Sequence, residues 1–442
     1  MSSNNININF SLWKFFPLII FVFSPKIDLV NIPGFWQGIR LDDIVILLYS
    51  IYLLISNKFK IYPNLINSKM FGFNLIIFLP YIVFSTLIAK LLDAPFSIIM
   101  LLRYCEYITL IMVLNQLNPP KDKIILVFKI YIILNFLIIL LQYFDLIGAF
   151  TSRGGCFMDE PDSSDRCYNL TPDDTLAPAM IQKSICFFNC GFDKMKNYQP
   201  AGTFLNNRLP GITGGSWELS INLAISFFGL YLFEKNLKKL IPYILMILIM
   251  MIIGQSRGII FGFLVGSFFL INDFKKILKI IFFFIIFLSL MYFFNFFNFK
   301  EIFNERFLLD YFSLIKLTTS IFSKSLPSAD TFTGTGLESM YWRVESWHRS
   351  IAVLKEKNYL MLFGAGGNNL YEESLIVRAV TSYGFLGVLF IIYLARKLPF
   401  FFIAFLFVTG LTIDLFVSFK IFLFTSLLLM IYFKNKKEVI KR

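Results

Sequence analysis

Long apolar runs recur along nearly the whole chain, and this pattern restricts the possible folds more than any other feature of the sequence. Of the 442 residues, 57% are hydrophobic and only 16% are charged, which is too apolar for a soluble domain of this size. Backbone groups inside a bilayer must satisfy their own hydrogen bonds, so these runs should be helices. We therefore predict an all-α polytopic membrane protein with about twelve transmembrane helices.

The predicted spans alternate with short polar connections. Several are shorter than the roughly 20 residues that a perpendicular span needs. The polar start of the chain has neither a basic n-region nor a cleavage site, so we expect the first span to be retained. The predicted spans cover residues 12–23, 44–55, 71–92, 96–117, 124–150, 219–233, 240–253, 258–271, 280–299, 375–395, 400–415 and 421–433.

The net charge of +13 predicts topology rather than a nucleic-acid partner. Lysines and arginines form short clusters between the spans, not one basic patch interleaved with aromatic residues. With both termini inside, most of these clusters, including the tail Lys434–Arg442, fall on the cytoplasmic side, as the positive-inside rule requires. Both termini are therefore expected to be cytoplasmic.

Two long connections, Thr151–Arg208 and Lys300–Tyr371, fall on the outer side in this topology, and loops of this length are usually functional. The first contains four of the five cysteines, and on the outer side of the membrane disulfides persist. Because no histidine lies nearby, two disulfides are favoured over a metal site. These cysteines are Cys156, Cys167, Cys186 and Cys190. The expected segments are helices in 1–150, a first loop in 151–210, helices in 211–299, a second loop in 300–373, and helices with a basic tail in 374–442.

The second loop should carry its own amphipathic helix. Arg343 lies at the margin of the apolar stripe, so it should point toward whatever the helix packs on. The stripe consists of Met340, Val344, Trp347, Ile351 and Leu354.

Arginines near the outer membrane boundary are the main candidates for binding an anionic substrate. There is no P-loop or metal-ligand motif, and the chain has one histidine. Guanidinium groups bind phosphate oxygens bidentately. The alternative is that each arginine pairs with a local carboxylate such as Asp42, Asp43, Asp93 or Glu218. The candidate arginines are Arg40, Arg208, Arg257, Arg343 and Arg378.

Arg257 stands out because glycines surround it at a spacing of four residues. Such a repeat would line one helix face with glycine and let a neighbouring helix approach closely. The glycines are Gly254, Gly258, Gly262 and Gly266.

Glu372 and Glu373 follow a glycine-rich turn and precede the span that contains Arg378. Acidic residues are common at helix N-termini for electrostatic reasons alone. Alternatively, one of them is a general base that takes a proton from an attacking sugar hydroxyl.

Several short motifs, in this order, resemble those of the O-antigen polymerase and ligase superfamily of bacterial polysaccharide assembly. Two long external loops accompany these motifs, as in that superfamily. The motifs are Pro25-Lys-Ile-Asp28, Ile39-Arg-Leu-Asp-Asp43, Arg208-Leu-Pro-Gly-Ile-Thr-Gly-Gly215, Gln255-Ser-Arg-Gly258, Arg343-x-x-x-Trp347, Phe363-Gly-Ala-Gly-Gly367 and Tyr383-Gly-Phe-Leu-Gly387.

This resemblance implies a GT-C-like fold in the inner membrane and a transfer of glycan from undecaprenyl diphosphate to a sugar hydroxyl, without a nucleotide sugar, metal or other cofactor. The implied partners are the lipid-linked oligosaccharide, membrane lipid and a chain-length regulator protein. The ligase branch has a His-Asn pair where this chain has Glu372 and Glu373, which favours a polymerase over a ligase. A lipid-linked oligosaccharide flippase or another carrier remains a third hypothesis, although no paired halves are visible in the sequence.

Overall fold

The computed structural model describes residues 16–24, 28–30, 39–56, 72–92, 98–143, 209, 211–213, 215–234, 236–254, 256–271, 289, 326, 338–356, 358–366, 374–396, 398–411, 413, 415 and 418–441. Nearly all of these residues are helical, which confirms the all-α part of the predicted fold class. A short antiparallel ribbon of two strands, β1 (Asp28–Val30) and β2 (Ile39–Arg40), precedes the first labelled helix.

The labelled helices are α1 (Leu41–Ser56), α2 (Gly72–Leu91), α3 (Ile98–Leu117), α4 (Lys121–Tyr143), α5 (Ser216–Phe233), α6 (Leu237–Ile253), α7 (Arg257–Leu270), α8 (Glu338–Glu356), α9 (Asn358–Phe363), α10 (Leu375–Ala395), α11 (Phe400–Gly410) and α12 (Phe419–Lys441). Ten of the twelve labelled helices overlap predicted spans, and the other two, α8 and α9, lie in the predicted second loop. Residues 16–23 are also helical, and of the predicted span 280–299 the structure describes only Ser289.

Three of the described helices are long and apolar enough to cross a membrane, namely α4, α5 and the segment Leu375–Tyr393 of α10. Shorter apolar helices cover Pro80–Leu91, Gly258–Leu270 and Phe400–Gly410. These helices indicate a membrane protein.

The chain forms two compact units, each assembled from separate stretches of sequence. The first unit comprises Met1–Phe73, Glu106–Ile260 and Ser418–Arg442. The second comprises Asn74–Cys105 and Phe261–Val417.

Helix α5 is the centre of the first unit. It is buried along nearly its whole length and packs against α4, α6 and α12. Aromatic rings join α4 to α12, because Phe424 stacks on Phe128 at 5.6 Å and contacts Tyr131 at 4.5 Å between ring centroids. Close van der Waals packing of this kind is what holds helices together in lipid.

Helix α10 is the centre of the second unit and packs against α8, α9 and α11. Its backbone is not helical at Gly384, where φ is 60° and ψ is −171°. The helix is therefore interrupted within its apolar part.

The predicted glycine face is partly wrong. Gly254 is the C-cap of α6, and a new helix begins at Arg257, so Gly254 does not belong to the same helix as Gly258 and Gly262. The turn between α6 and α7 breaks the repeat. Gly262 does provide a close approach, since a Cβ there would collide with the Thr409 side chain of α11.

Candidate functional site

The segment that follows Arg208 is fixed to α4 by side-chain amides. The Gly211 N–H donates to Gln142 Oε1 at 3.1 Å, and the Ile212 N–H donates to Asn135 Oδ1 at 3.1 Å. Gly211 has φ of +58°, and a Cβ there would collide with Asn135 Oδ1, so the position requires glycine. These bonds satisfy backbone groups that lead into the first turn of α5.

The turn between α6 and α7 lies against the start of α5. The Ser220 hydroxyl is 3.0 Å from the Ser256 hydroxyl, and the Ser256 hydroxyl is 3.2 Å from the Gly254 carbonyl oxygen. A Cβ on Gly254 would be 3.3 Å from Ser216 Cβ, so the backbone of the turn lies close to α5. The first unit therefore places the turn that contains Ser256 against the start of α5, the helix that directly follows the motif ending at Gly215.

Four charged side chains are buried where helices of the first unit begin. Arg40 immediately precedes α1, Asp42 and Glu218 lie in the first turns of α1 and α5, and Lys420 lies in the first turn of α12. We call these four residues the charged cluster; their exposures are 4%, 5%, 0% and 3% for Arg40, Asp42, Glu218 and Lys420. Buried charges in a membrane protein are functional candidates by default.

Specific bonds connect the charged cluster to its surroundings. The Lys420 ammonium donates to the carbonyl oxygen of Ser24, at the end of helical residues 16–23. The Ser418 hydroxyl donates to Glu218, and Ser418 Oγ accepts the Ile421 N–H at 3.3 Å as an N-cap.

Sequence analysis missed Lys420. Its signal was nevertheless present, because a lysine at the predicted outer end of a span opposes the positive-inside rule. A cation in the first turn of a helix also opposes the helix dipole. Arg40, by contrast, was predicted, and its backbone N–H donates to Asp43 Oδ2 at 2.9 Å.

Other lysines of the first unit gather at the opposite ends of the same helices. The Lys434 ammonium donates to the Pro119 carbonyl oxygen, and Lys121 Nζ is 2.9 Å from Asn435 Oδ1. Lys434 is 14 positions after Lys420 in α12, so the rise of an α-helix separates them by about 21 Å.

One more ion pair lies at this basic end of the first unit. Lys239 Nζ is 3.2 Å from Glu234 Oε2, in the connection between α5 and α6. Hydrogen bonds from the Lys239 side chain and from the Asn236 backbone lower the pKa of Glu234.

In the second unit, the predicted amphipathic helix is present as α8 and packs through its apolar face. Tyr341, Val344 and Trp347 form a buried cluster with Leu326 and with Val377 of α10. The residue that precedes Val344, Arg343, is half-buried, and the residue that follows Val377, Arg378, is 5% exposed. The elements that carry these two arginines are thus in contact.

The interruption of α10 is filled by the turn after α9. The Ala365 N–H donates to the Thr381 carbonyl oxygen, and the Gly366 N–H donates to that of Ser382, both at 2.7 Å. A Cβ on Gly384 would lie 2.6 Å from the backbone of Leu362, so no larger residue fits. The motif that begins at Phe363 therefore packs directly against the motif that begins at Tyr383.

Side chains of α2 supply further hydrogen bonds at the break in α10. The Ser85 hydroxyl is 2.8 Å from the Phe363 carbonyl oxygen, and the Tyr81 hydroxyl donates to the Tyr383 carbonyl oxygen. Unsatisfied carbonyl groups at membrane depth would cost several kcal/mol each. These bonds explain how the break is tolerated.

Several predicted site residues lie outside the described residues. This applies to Arg208, Glu372, Glu373 and the cysteines Cys156, Cys167, Cys186 and Cys190. Arg257 is described only as the first residue of α7. Of the four described candidate arginines, Arg40 and Arg257 belong to the first unit and Arg343 and Arg378 to the second.

No protein-family model, curated protein or solved structure matches this chain.

Proposed function

We propose that this chain is a membrane glycosyltransferase that polymerises undecaprenyl-diphosphate-linked oligosaccharide repeat units into O-antigen or capsular polysaccharide. In this proposal about twelve helices cross the bacterial inner membrane in a GT-C-like arrangement, and the reaction occurs at the periplasmic face. The observation that carries the proposal is the contact of the turn before Arg257 with the start of α5, the helix that directly follows the motif beginning at Arg208.

The distribution of charge supports the proposed orientation. Lys121, Lys239 and Lys434 lie at one end of the first unit, and the two motif segments lie at the other. Under the positive-inside rule, the lysine-rich end is cytoplasmic. The motif segments and both long connections are then periplasmic, and both termini are cytoplasmic.

In the proposed reaction, an acceptor sugar hydroxyl attacks the anomeric carbon of the lipid-linked glycan. A new glycosidic C–O bond forms, and the C–O bond to the diphosphate breaks. Undecaprenyl diphosphate leaves with the bonding electron pair, and Glu373 or Glu372 takes the hydroxyl proton. No further reactant is needed for the step to balance.

The arginines would act on the leaving group. Negative charge grows on the diphosphate as the bond to the sugar breaks, so cations placed beside it stabilise the transition state more than the ground state. Arg257, Arg343 and Arg208 are the proposed diphosphate ligands, with Arg378 and Arg40 as further members of the set. Guanidinium suits this role because it binds phosphate oxygens bidentately.

Chain-length analysis in cells tests the proposal. Replacing Arg257 or Arg343 by Ala should abolish long-chain polysaccharide while the protein remains in the membrane. Arg349→Ala is the matched control, because Arg349 lies on the same helix as Arg343 but is exposed and pairs with Glu345 at 3.7 Å. Wild-type chain length in both the Arg257 and Arg343 variants would refute the assignment.

A carrier is the second candidate, and the interruption of α10 at Gly384 is the observation that favours it. Interrupted helices often form the binding sites of secondary transporters. Here, however, the carbonyl groups beside the break already accept hydrogen bonds from Ala365, Gly366 and Tyr81. This arrangement favours a structural role for the break.

A deletion strain separates the alternatives. Loss of a polymerase leaves lipid-linked units on the outer leaflet and single repeat units attached to lipid A core. Loss of a flippase leaves the units on the cytoplasmic leaflet, and loss of a ligase prevents attachment altogether.

A further inference from the structure

The segment between α8 and α10 contains a long stretch without charge. No charged residue lies between Lys357 and Glu372, and the stretch begins with the apolar helix α9. Three large side chains of α9 are exposed, by 39%, 51% and 42% for Tyr359, Met361 and Leu362. Apolar side chains that face water lose the stabilisation that burial gives. Helix α9 therefore presents an apolar surface.

Contacts with α2 show that this segment doubles back within the second unit. Leu360 and Ala365 belong to one buried cluster with Ala89, which lies close to the C-terminal end of α2. Phe363, between Leu360 and Ala365 in sequence, contacts an earlier turn of α2, because its carbonyl oxygen is 2.8 Å from the Ser85 hydroxyl. The segment therefore runs along α2 away from its C-terminal end and then returns.

The depth that this turn reaches follows from the helices beside it. Ser85 lies six residues before Leu91, the last residue of α2, so the rise of a helix places it about 9 Å from that end. Gly384, which lies against the Leu362 backbone, is nine residues after Leu375, the first residue of α10, or about 14 Å along that helix. The hydrocarbon core of a bilayer is about 30 Å thick, so both measures place the turn well inside it.

The exposed side chains of α9 continue an apolar surface of the two helices that it contacts. Phe363 packs edge-on against the exposed Phe84 of α2, with ring centroids 5.6 Å apart. Phe385, at the break in α10, is also exposed and belongs to the segment that is long and apolar enough to cross a membrane. Exposed apolar side chains on such a segment face lipid. The same surroundings suit Met361 and Leu362.

The backbone of the turn is compatible with this depth. Irregular backbone is tolerated inside a bilayer only where protein covers it. The Ala365 and Gly366 N–H groups donate to α10, and the Phe363 carbonyl oxygen lies within hydrogen-bonding distance of the Ser85 hydroxyl of α2. Residues 364–366 are buried, so it is the side chains of α9 that meet the surroundings.

From these observations we infer that residues 358–366 form a re-entrant segment that exposes Met361 and Leu362 to the acyl chains of membrane lipids. The segment enters the bilayer from the side on which α2 ends and α10 begins. Tyr359 lies near the point of entry, in the interfacial region that tyrosine prefers. Because α9 begins two residues after α8 ends, the segment also holds α8 next to the membrane. This contact goes beyond the proposed function and does not depend on it.

Photo-crosslinking of the wild-type protein in lipid nanodiscs tests the contact without any substitution. The nanodiscs contain phosphatidylcholine with a diazirine in one acyl chain, and peptide mass mapping locates the adducts. We expect adducts on Met361 or Leu362 and on Phe385, but not on Arg349, which is exposed on α8. Adducts on Phe385 without any on α9 would overturn the inference.

Cysteine accessibility is a second, independent measurement. Met361→Cys and Leu362→Cys, made in the full chain and placed in phosphatidylcholine nanodiscs, should react with a charged maleimide about tenfold more slowly than Arg349→Cys. Apolar surroundings keep a thiol protonated, and the thiolate is the species that reacts. Phe385→Cys is the matched control on a membrane helix and should react as slowly as the α9 variants.

Peptide mass mapping separates the introduced thiol from the five native cysteines, and unfolding in dodecyl sulfate should abolish the difference in rate. Equal rates for Leu362→Cys and Arg349→Cys in nanodiscs would show that α9 faces water. Slow reaction without any lipid adduct on α9 would show that protein covers it, for example a second copy of the chain. Either result overturns the inference and leaves the polymerisation assay unaffected.

Discussion

Replacing Gly384 by Ala tests the account of the interrupted helix α10. Gly384 has φ of 60° and ψ of −171°, a combination that is almost restricted to glycine. The added Cβ would also lie 2.6 Å from the carbonyl carbon and oxygen of Leu362, which are backbone atoms and cannot rotate away. The turn that fills the break would therefore have to move.

The magnitude follows from two contributions. Strained backbone at one residue costs about 1 to 3 kcal/mol. Displacing the turn breaks the hydrogen bonds from Ala365 and Gly366 to α10, each worth about 0.5 to 1.5 kcal/mol. The sum is a destabilisation of about 2 to 6 kcal/mol, against a total stability that is typically about 5 to 15 kcal/mol.

The assay is the fraction of monodisperse protein that remains after heating in detergent. Phe385→Ala is the matched control, because Phe385 is the next residue but is 60% exposed, so its loss should change stability little. We expect Gly384→Ala to lose its folded fraction at a clearly lower temperature than both the wild type and the control. Equal stability of the two variants would refute the reasoning.

Three further predictions concern single side chains. Ser85→Ala removes the hydroxyl that is 2.8 Å from the Phe363 carbonyl oxygen and should lower stability by about 1 to 3 kcal/mol in a denaturant titration. Asn135→Leu leaves the buried Ile212 N–H without its acceptor and should cost a similar amount, about 1 to 3 kcal/mol, measured in the same way. Lys239 lowers the pKa of Glu234, so their bond stabilises the protein above the usual glutamate pKa and less as the pH falls through the lowered value. The difference in unfolding temperature between wild type and Lys239→Met should therefore be largest near neutral pH and vanish in acid; a difference that persists in acid would contradict this.

Most helices could be located from the sequence because they follow its hydrophobic pattern. The apolar stripe of Val344, Trp347 and Leu354 predicted α8, and all three side chains are buried. Continuous apolar runs predicted α4 and α5 for the same reason, since such a segment has no alternative to a helix in lipid.

The interruption of α10 could not be predicted, because it depends on residues distant in sequence. Gly384 reads as an ordinary glycine in an apolar helix, and glycine is common in membrane helices. The break is stable only because Tyr81 and the turn at Ala365 and Gly366 supply hydrogen bonds to it. The glycine repeat around Arg257 was misread for a related reason, since periodicity does not reveal that α6 ends at Ile253.

The candidate site was predictable only in part. Arg40 was identified because arginine at an outer boundary is unusual, whereas Lys420, which lies just before the predicted span 421–433, was not among the candidates. The relation of Lys420 to Glu218 arises from helix packing, since 202 positions separate them in the chain. The pattern of charges along a sequence does not reveal contacts between helices that are distant in the chain.

The most direct test of the central claim is polymerisation by the purified protein. Wild-type protein in lipid vesicles, supplied only with undecaprenyl-diphosphate-linked repeat units, should convert them into a ladder of longer lipid-linked glycans and release one undecaprenyl diphosphate for each linkage formed. Arg257→Ala and Arg343→Ala should form no ladder, whereas Arg349→Ala should match the wild type. Unchanged single repeat units with the wild-type protein would contradict the account, as would movement of those units across the bilayer without any new glycosidic bond.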